Sequence, residues 1–170
     1  MDNQCHAGGR RMHAPRPTSA RAAYVTFLMR NDSYLPGAVV LGHELTRMTR
    51  RADVICLVTS QVSAGAVSAL RTVFDHVVTV DDVYVPHRHT GGRPGVPHMF
   101  TRINALRLGS DGDLGFKYEK LVVLDADILP LARYDDLLDL GAPAGVINER
   151  KEHFVPVGPG NGAGRATSVG

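Results

Sequence analysis

The 170-residue chain has two cysteines, Cys5 near its start and Cys56 inside an apolar run. Two such thiols make neither a disulfide framework nor a zinc pattern, so Cys56 reads as a small core residue. No apolar run approaches the length needed to cross a bilayer, and the start lacks the apolar block of a signal peptide. A cytoplasmic location is therefore expected. No strong charge of one sign is present either: the net charge is +2. Residues 1–21 hold Arg10, Arg11, Arg16 and Arg21 against Asp2, a local +3; the other 15 bases and 16 acids give −1. A near-neutral folded part argues against a nucleic-acid partner, which needs a basic face on the domain itself. The dinucleotide fingerprint GxGxxG and the P-loop GxxxxGK[ST] are both missing. No internal repeat is found.

What is present is a chain with 44% apolar and 21% charged residues, enough for one ordinary domain with a core. Residues 1–21, rich in Gly, Pro, Arg and His without periodicity, read as a disordered basic leader. Strands are expected at Ala22–Met29, Val54–Val58, His76–Val80 and Leu121–Leu124. A fifth is expected at Ala144–Ile147. Between them, Pro36 suits a first helical turn, with Ala38, Leu41, Leu45 and Met48 at helical spacing. Ser63 can cap a second helix through about Thr72, Phe100–Leu108 reads as a third, and Tyr134–Leu138 as a short fourth. A long Gly- and Pro-rich loop with His87 and His89 separates Val83 from Pro97. Residues 155–170 form a Gly-rich tail unable to bury a core. Strands alternating with helices predict an α/β fold, a mainly parallel sheet with flanking helices on both faces.

The run Leu121-Val122-Val123-Leu124 reads as a strand buried on both faces of such a sheet. It ends in Asp125-Ala126-Asp127. In extended backbone, positions i and i+2 project to one side, so both carboxylates can converge on one object at the ligand-binding end of the sheet. Adjacent anions repel unless a cation lies between them, and hard oxygen ligands that leave room for phosphate suit Mg²⁺ or Mn²⁺. A strand-end Asp followed by a turn is the plain structural alternative. Asn31, Asp32 and Tyr34 could read a nucleotide base, or simply start a helix. Arg102 could pair with a diphosphate, or lie on a solvated helix face. A zinc site built from His87, His89 and His98 is weighed and set aside in favour of a mobile loop.

From Ala23 to about Leu140 the sequence resembles the glycogenin-like, family-8 retaining glycosyltransferases of GT-A fold. The resemblance rests on Tyr24-Val25-Thr26, Asn31-Asp32-Ser33-Tyr34, Gly37-Ala38-Val39-Val40-Leu41-Gly42, Val58-Thr59-Ser60-Gln61-Val62-Ser63 and Val73-Phe74-Asp75. Leu124-Asp125-Ala126-Asp127-Ile128-Leu129-Pro130-Leu131 and Asp135-Asp136-Leu137 complete it. It implies a Rossmann-like GT-A nucleotide-diphospho-sugar transferase domain over residues 22–154, C-terminally incomplete. It also implies a UDP-sugar donor and Mn²⁺ (or Mg²⁺) ligated by Asp125 and Asp127. Ala126 would pass its backbone close to the ribose, and Leu28, Asn31 and Tyr34 would hold uracil and ribose. The turn is one residue longer here between Thr26 and Asn31, which makes Leu28 the weaker match. Arg102 takes the place of a basic residue, usually Lys, that faces the donor. The family's further metal-ligating His has no counterpart here, and no catalytic residue is assigned.

The resemblance implies a hexosyl transfer to a sugar or protein acceptor with retention of configuration. A homodimer is a further possibility. The competing expectation is a truncated, non-catalytic nucleotide-sugar-binding remnant, or a subunit that needs a partner to complete its site. A haloacid-dehalogenase-type phosphatase, whose Asp-x-Asp sits on the first strand, is set aside because three strands precede this one.

Overall fold

The computed structural model describes residues 21–49, 51–86 and 96–145. By contacts the chain divides into two units, residues 1–140 and 141–170. The fold below belongs to the first. It contains four strands, β1 (Ala22–Leu28), β2 (Asp53–Val58), β3 (His76–Thr79) and β4 (Lys120–Val123). They form one all-parallel sheet in the order β3-β2-β1-β4. Two α-helices, α1 (Leu35–Met48) and α2 (Ala64–Leu70), connect the first three strands. Two 3₁₀-helices, Val96–Leu108 and Asp135–Asp139, flank the fourth.

The two central strands are buried along their whole length, so side chains of alternate parity feed different cores. On one face Tyr24, Leu28, Val54, Cys56 and Val58 pack under Ala38, Leu41 and Leu45 of α1 and Ala66 and Leu70 of α2. On the other, Val25, Phe27, Ile55 and Leu57 pack against Ala105, Leu108 and Tyr118. Cys56 is a core residue, and burial pushes its thiol up to about 12. The cap expected at Ser63 is present: its side chain accepts from the Ala66 N–H at 3.1 Å. Helix α1 has Pro in its first turn and no side-chain cap.

Three expectations change. β4 is an edge strand among the described residues, only partly buried, with Val123 48% exposed. Its apolar run suggests two covered faces, but none of its four residues is fully buried. The expected α-helix at Phe100–Leu108 is a 3₁₀-helix beginning at Val96. Its buried positions include the polar Thr101 and Asn104 beside Ala105 and Leu108, while Phe100, Ile103 and Leu106 face outward. Finally, Ala144 carries no strand, and residues 146–147 of the expected fifth strand lie outside the described residues. So do the leader's first 20 residues, the tail, and the loop histidines His87 and His89. Among the described residues no helix is long and apolar enough to cross a membrane.

Candidate functional site

Parallel strands end together, and at their carboxyl tips the polar connections gather. The β1–α1 turn is the most constrained of these. Arg30 adopts a left-handed φ of 68° and the Asn31 N–H donates to the Met29 carbonyl at 2.8 Å, so Arg30 is the centre of a γ-turn. Such a backbone costs a non-glycine residue on the order of 1–3 kcal/mol and persists only where its surroundings fix it. Here β2 supplies the fixing. The Arg30 N–H donates to Thr59 Oγ1 at 2.8 Å, and the Thr59 N–H donates to the Leu28 carbonyl at 3.3 Å. Two residues on, Asp32 Oδ1 accepts from the Ser63 N–H at 3.0 Å. Bonds from the Ser63 side chain and backbone hold the Asp32 carboxyl below its ordinary value.

A cleft of about 400 Å³ opens over these tips. One wall is Phe27, Met29, Arg30, Asn31, Ser33 and Tyr34; the 3₁₀-helix contributes His98, Met99 and Arg102; Leu124 to Asp127 close it. Asp125 and Asp127 therefore line one space, but beyond the end of β4 rather than on extended strand. Past Asp125 the chain already turns, since the Ile128 N–H donates to the Asp125 carbonyl at 3.2 Å. Arg102 Nη1 lies 2.5 Å from Asp125 Oδ1, with the two side chains 42% and 50% exposed. An ion pair that open to water is worth about 0–1 kcal/mol. It fixes a geometry more than it stabilises the fold.

The 3₁₀-helix is anchored by bonds behind the cleft. Thr101 Oγ1 donates to Asp82 Oδ1 at 2.8 Å and accepts from the Val83 N–H at 2.9 Å, while Asn104 Nδ2 donates to the Asp81 carbonyl at 3.0 Å. His98 Nδ1 lies 2.7 Å from Asp82 Oδ2. Burial alone would raise Asp82, but the bonds from Thr101 and His98 prevail and bring it below the ordinary range. His98 is thus a structural partner of Asp82 at the cleft wall. Among the described residues no group of three or more His, Cys, Asp or Glu side chains could hold a metal, so the weighed zinc site gains no support there.

Of the residues singled out from sequence, Asn31, Tyr34, Arg102, Asp125, Ala126 and Asp127 line this cleft. Leu28 does not. Strand parity turns it into the α1 core, 1% exposed, and Phe27 and Met29 take the cleft positions on either side. Sequence reasoning missed Gly37 as a site-building residue. A Cβ there would lie 2.6 Å from the Ala126 carbonyl oxygen, so only glycine lets α1 approach the Asp125–Asp127 turn this closely. A glycine in the first turn of α1, directly after Pro36, is the signal that could have found it. Arg30 and Thr59 were missed too, and no sequence signal marks a left-handed arginine.

No family model matches the chain. Among curated proteins, human (Homo sapiens) glycogenin-1 is 39% identical over 120 residues, 69% of this chain and 32% of that protein. The glycogenin of Neurospora crassa is 31% identical over 127 residues, 72% and 17% of the two chains. An uncharacterized protein of Acanthamoeba polyphaga mimivirus is 31% identical over 137 residues, 80% and 45%. The chain spans less than half the length of these relatives. With the all-parallel sheet and its flanking helices, these homologies define an α/β Rossmann-like glycosyltransferase fold. Within that class the chain is glycogenin-like, and corresponds to the N-terminal part of such a glycosyltransferase.

Proposed function

We propose that this chain is the donor-binding part of a metal-dependent glycosyltransferase that moves a hexosyl group from a UDP-sugar to a sugar or protein acceptor, with retention of configuration. The observation that carries the reading is that Asp125 and Asp127 line one cleft together with Arg102 and the β1–α1 turn. Two exposed carboxylates, with no third ligand beside them among the described residues, suit Mn²⁺ or Mg²⁺, which keep positions for water and substrate phosphate. When bound there, such an ion acts as a Lewis acid toward the leaving diphosphate. The protein's own groups do the rest. Asn31 and Tyr34 hold base and ribose, the Ala126 backbone meets the ribose, and Arg102 supplies a fixed positive charge.

Calorimetry tests this. UDP binds in the presence of Mn²⁺, and Asp125→Asn or Asp127→Asn weakens it by about 10- to 100-fold, the range for losing one charge-assisted contact. Equal UDP affinity with EDTA present defeats the metal assignment. A second reading, a nucleotide-sugar-binding part that does not turn over by itself, is favoured by the absence of a third metal ligand among the described residues. Sugar transfer to a simple acceptor by the chain alone eliminates that reading.

A further inference from the structure

We propose that Arg102 is a positioning residue that holds Asp125 when no ligand is bound and exchanges partners when the donor arrives, making cation and nucleotide binding mutually dependent. The inference rests on reading the cleft as a metal–diphosphate site. It starts from the asymmetry of the two carboxylates. Asp125 Oδ1 is met by Arg102 Nη1 at 2.5 Å, whereas Asp127 has no ion pair among the described residues.

The arginine's backbone cannot drift away, because Thr101 before it is fully buried and doubly bonded to the Asp82–Val83 segment, and Asn104 after it donates to the Asp81 carbonyl. Only its exposed guanidinium can turn. Arginine keeps its charge at any pH where the protein folds, so the pair does not dissolve by deprotonation. While it stands, Asp125 is electrically satisfied, and an approaching cation finds one unpaired carboxylate beside a positive charge. A diphosphate alters that balance. Its oxygens offer the guanidinium fork a better partner than one half-exposed carboxylate. Arg102 turns to the phosphates and Asp125 is released to serve as a ligand. By linkage, whatever factor UDP adds to cation affinity, the cation adds to UDP affinity.

The experiment measures free Mn²⁺ by electron paramagnetic resonance, with and without UDP, on the chain and on Arg102→Gln, Arg102→Lys and Asp125→Asn; circular dichroism melts verify folding. The native chain binds Mn²⁺ more tightly when UDP is present. Arg102→Gln binds Mn²⁺ alone about fivefold tighter, the equivalent of a half-exposed ion pair removed from competition. In that variant UDP still adds affinity through the phosphate oxygens that meet the cation, but by a smaller factor than in the native chain. Arg102→Lys, which keeps the charge, returns Mn²⁺ affinity toward native. If Arg102→Gln leaves affinity for Mn²⁺ alone unchanged or lowers it, the partner exchange is overturned while the metal site stands. If Asp125→Asn binds Mn²⁺ as well as the native chain, the metal reading itself falls, and this inference with it.

Discussion

Replacing Gly37 by alanine separates the stability of the fold from the shape of its site. The new Cβ would stand 2.6 Å from the Ala126 carbonyl oxygen, 3.5 Å from its carbon and 3.7 Å from the Asp127 Cα. Ordinary contact begins at 3.4 Å, so the oxygen must retreat by about 0.8 Å, the difference between 3.4 and 2.6. The obstacle is backbone, which has no rotamer to turn aside. Overpacking of this kind costs about 1–3 kcal/mol. Alanine returns up to about 1 kcal/mol of helix propensity, less in a first turn. Net destabilisation should thus be about 0–3 kcal/mol, a change the fold can survive. The binding effect is larger, because the displaced segment carries Asp127 and a misplacement near 1 Å costs up to about 100-fold.

Urea unfolding followed by circular dichroism should find Gly37→Ala folded, and calorimetry should find UDP affinity with Mn²⁺ reduced at least about tenfold. Gly42→Ala on the same helix is the control. Its Cβ would meet the Phe74 ring at 2.5 Å, in the core away from the cleft, so it should lose stability and keep UDP affinity. A Gly37→Ala protein with native UDP affinity would refute the reasoning that α1 holds the aspartate turn in place.

Thr59→Val removes the acceptor that fixes the left-handed Arg30, and should cost about 1–3 kcal/mol in urea unfolding. Adding Arg30→Gly should recover part of that loss, since glycine adopts a φ of 68° without a side-chain penalty. Acid unfolding tests Asp82, whose folded value lies below the ordinary 3.8. The charged form is favoured in the fold, so its contribution is present above pH 3.8 and disappears as pH falls through the lower folded value. Asp82→Asn should therefore flatten the stability–pH curve below that point, and an unchanged acid limb would count against the Thr101 and His98 bonds to it.

Much of this arrangement was legible because β1 and β2 are continuous apolar runs, which occur where both faces of a sheet are covered. The Ser63 cap follows from local rules of helix ends. Asp125 and Asp127 line one cleft although the chain turns at Asp125–Ile128 rather than running on extended, so strand parity is not what brings them there. Hydrophobicity alone does not orient the 3₁₀-helix: Phe100, Ile103 and Leu106 share a period-three row, yet Leu106 is 71% exposed. The buried face is instead chosen by Thr101 and Asn104, whose partners Asp81 and Asp82 lie about twenty positions earlier, at the end of β3. β4 stands where its apolar run places it, but that run overstates its burial: none of its four residues is fully buried. Leu28 was drawn into the ligand set by position, while parity within β1 turned it to the core.

The marginal place of β4 has a dynamic consequence. Among the described residues its amides pair with β1 alone, whereas β1 is flanked by β2 and β4. Local opening follows such differences, so hydrogen exchange should be slowest in β1 and β2 and faster in the strand leading to Asp125. The two carboxylates thus follow an edge rung of the sheet, and whatever grips both of them steadies that rung as well.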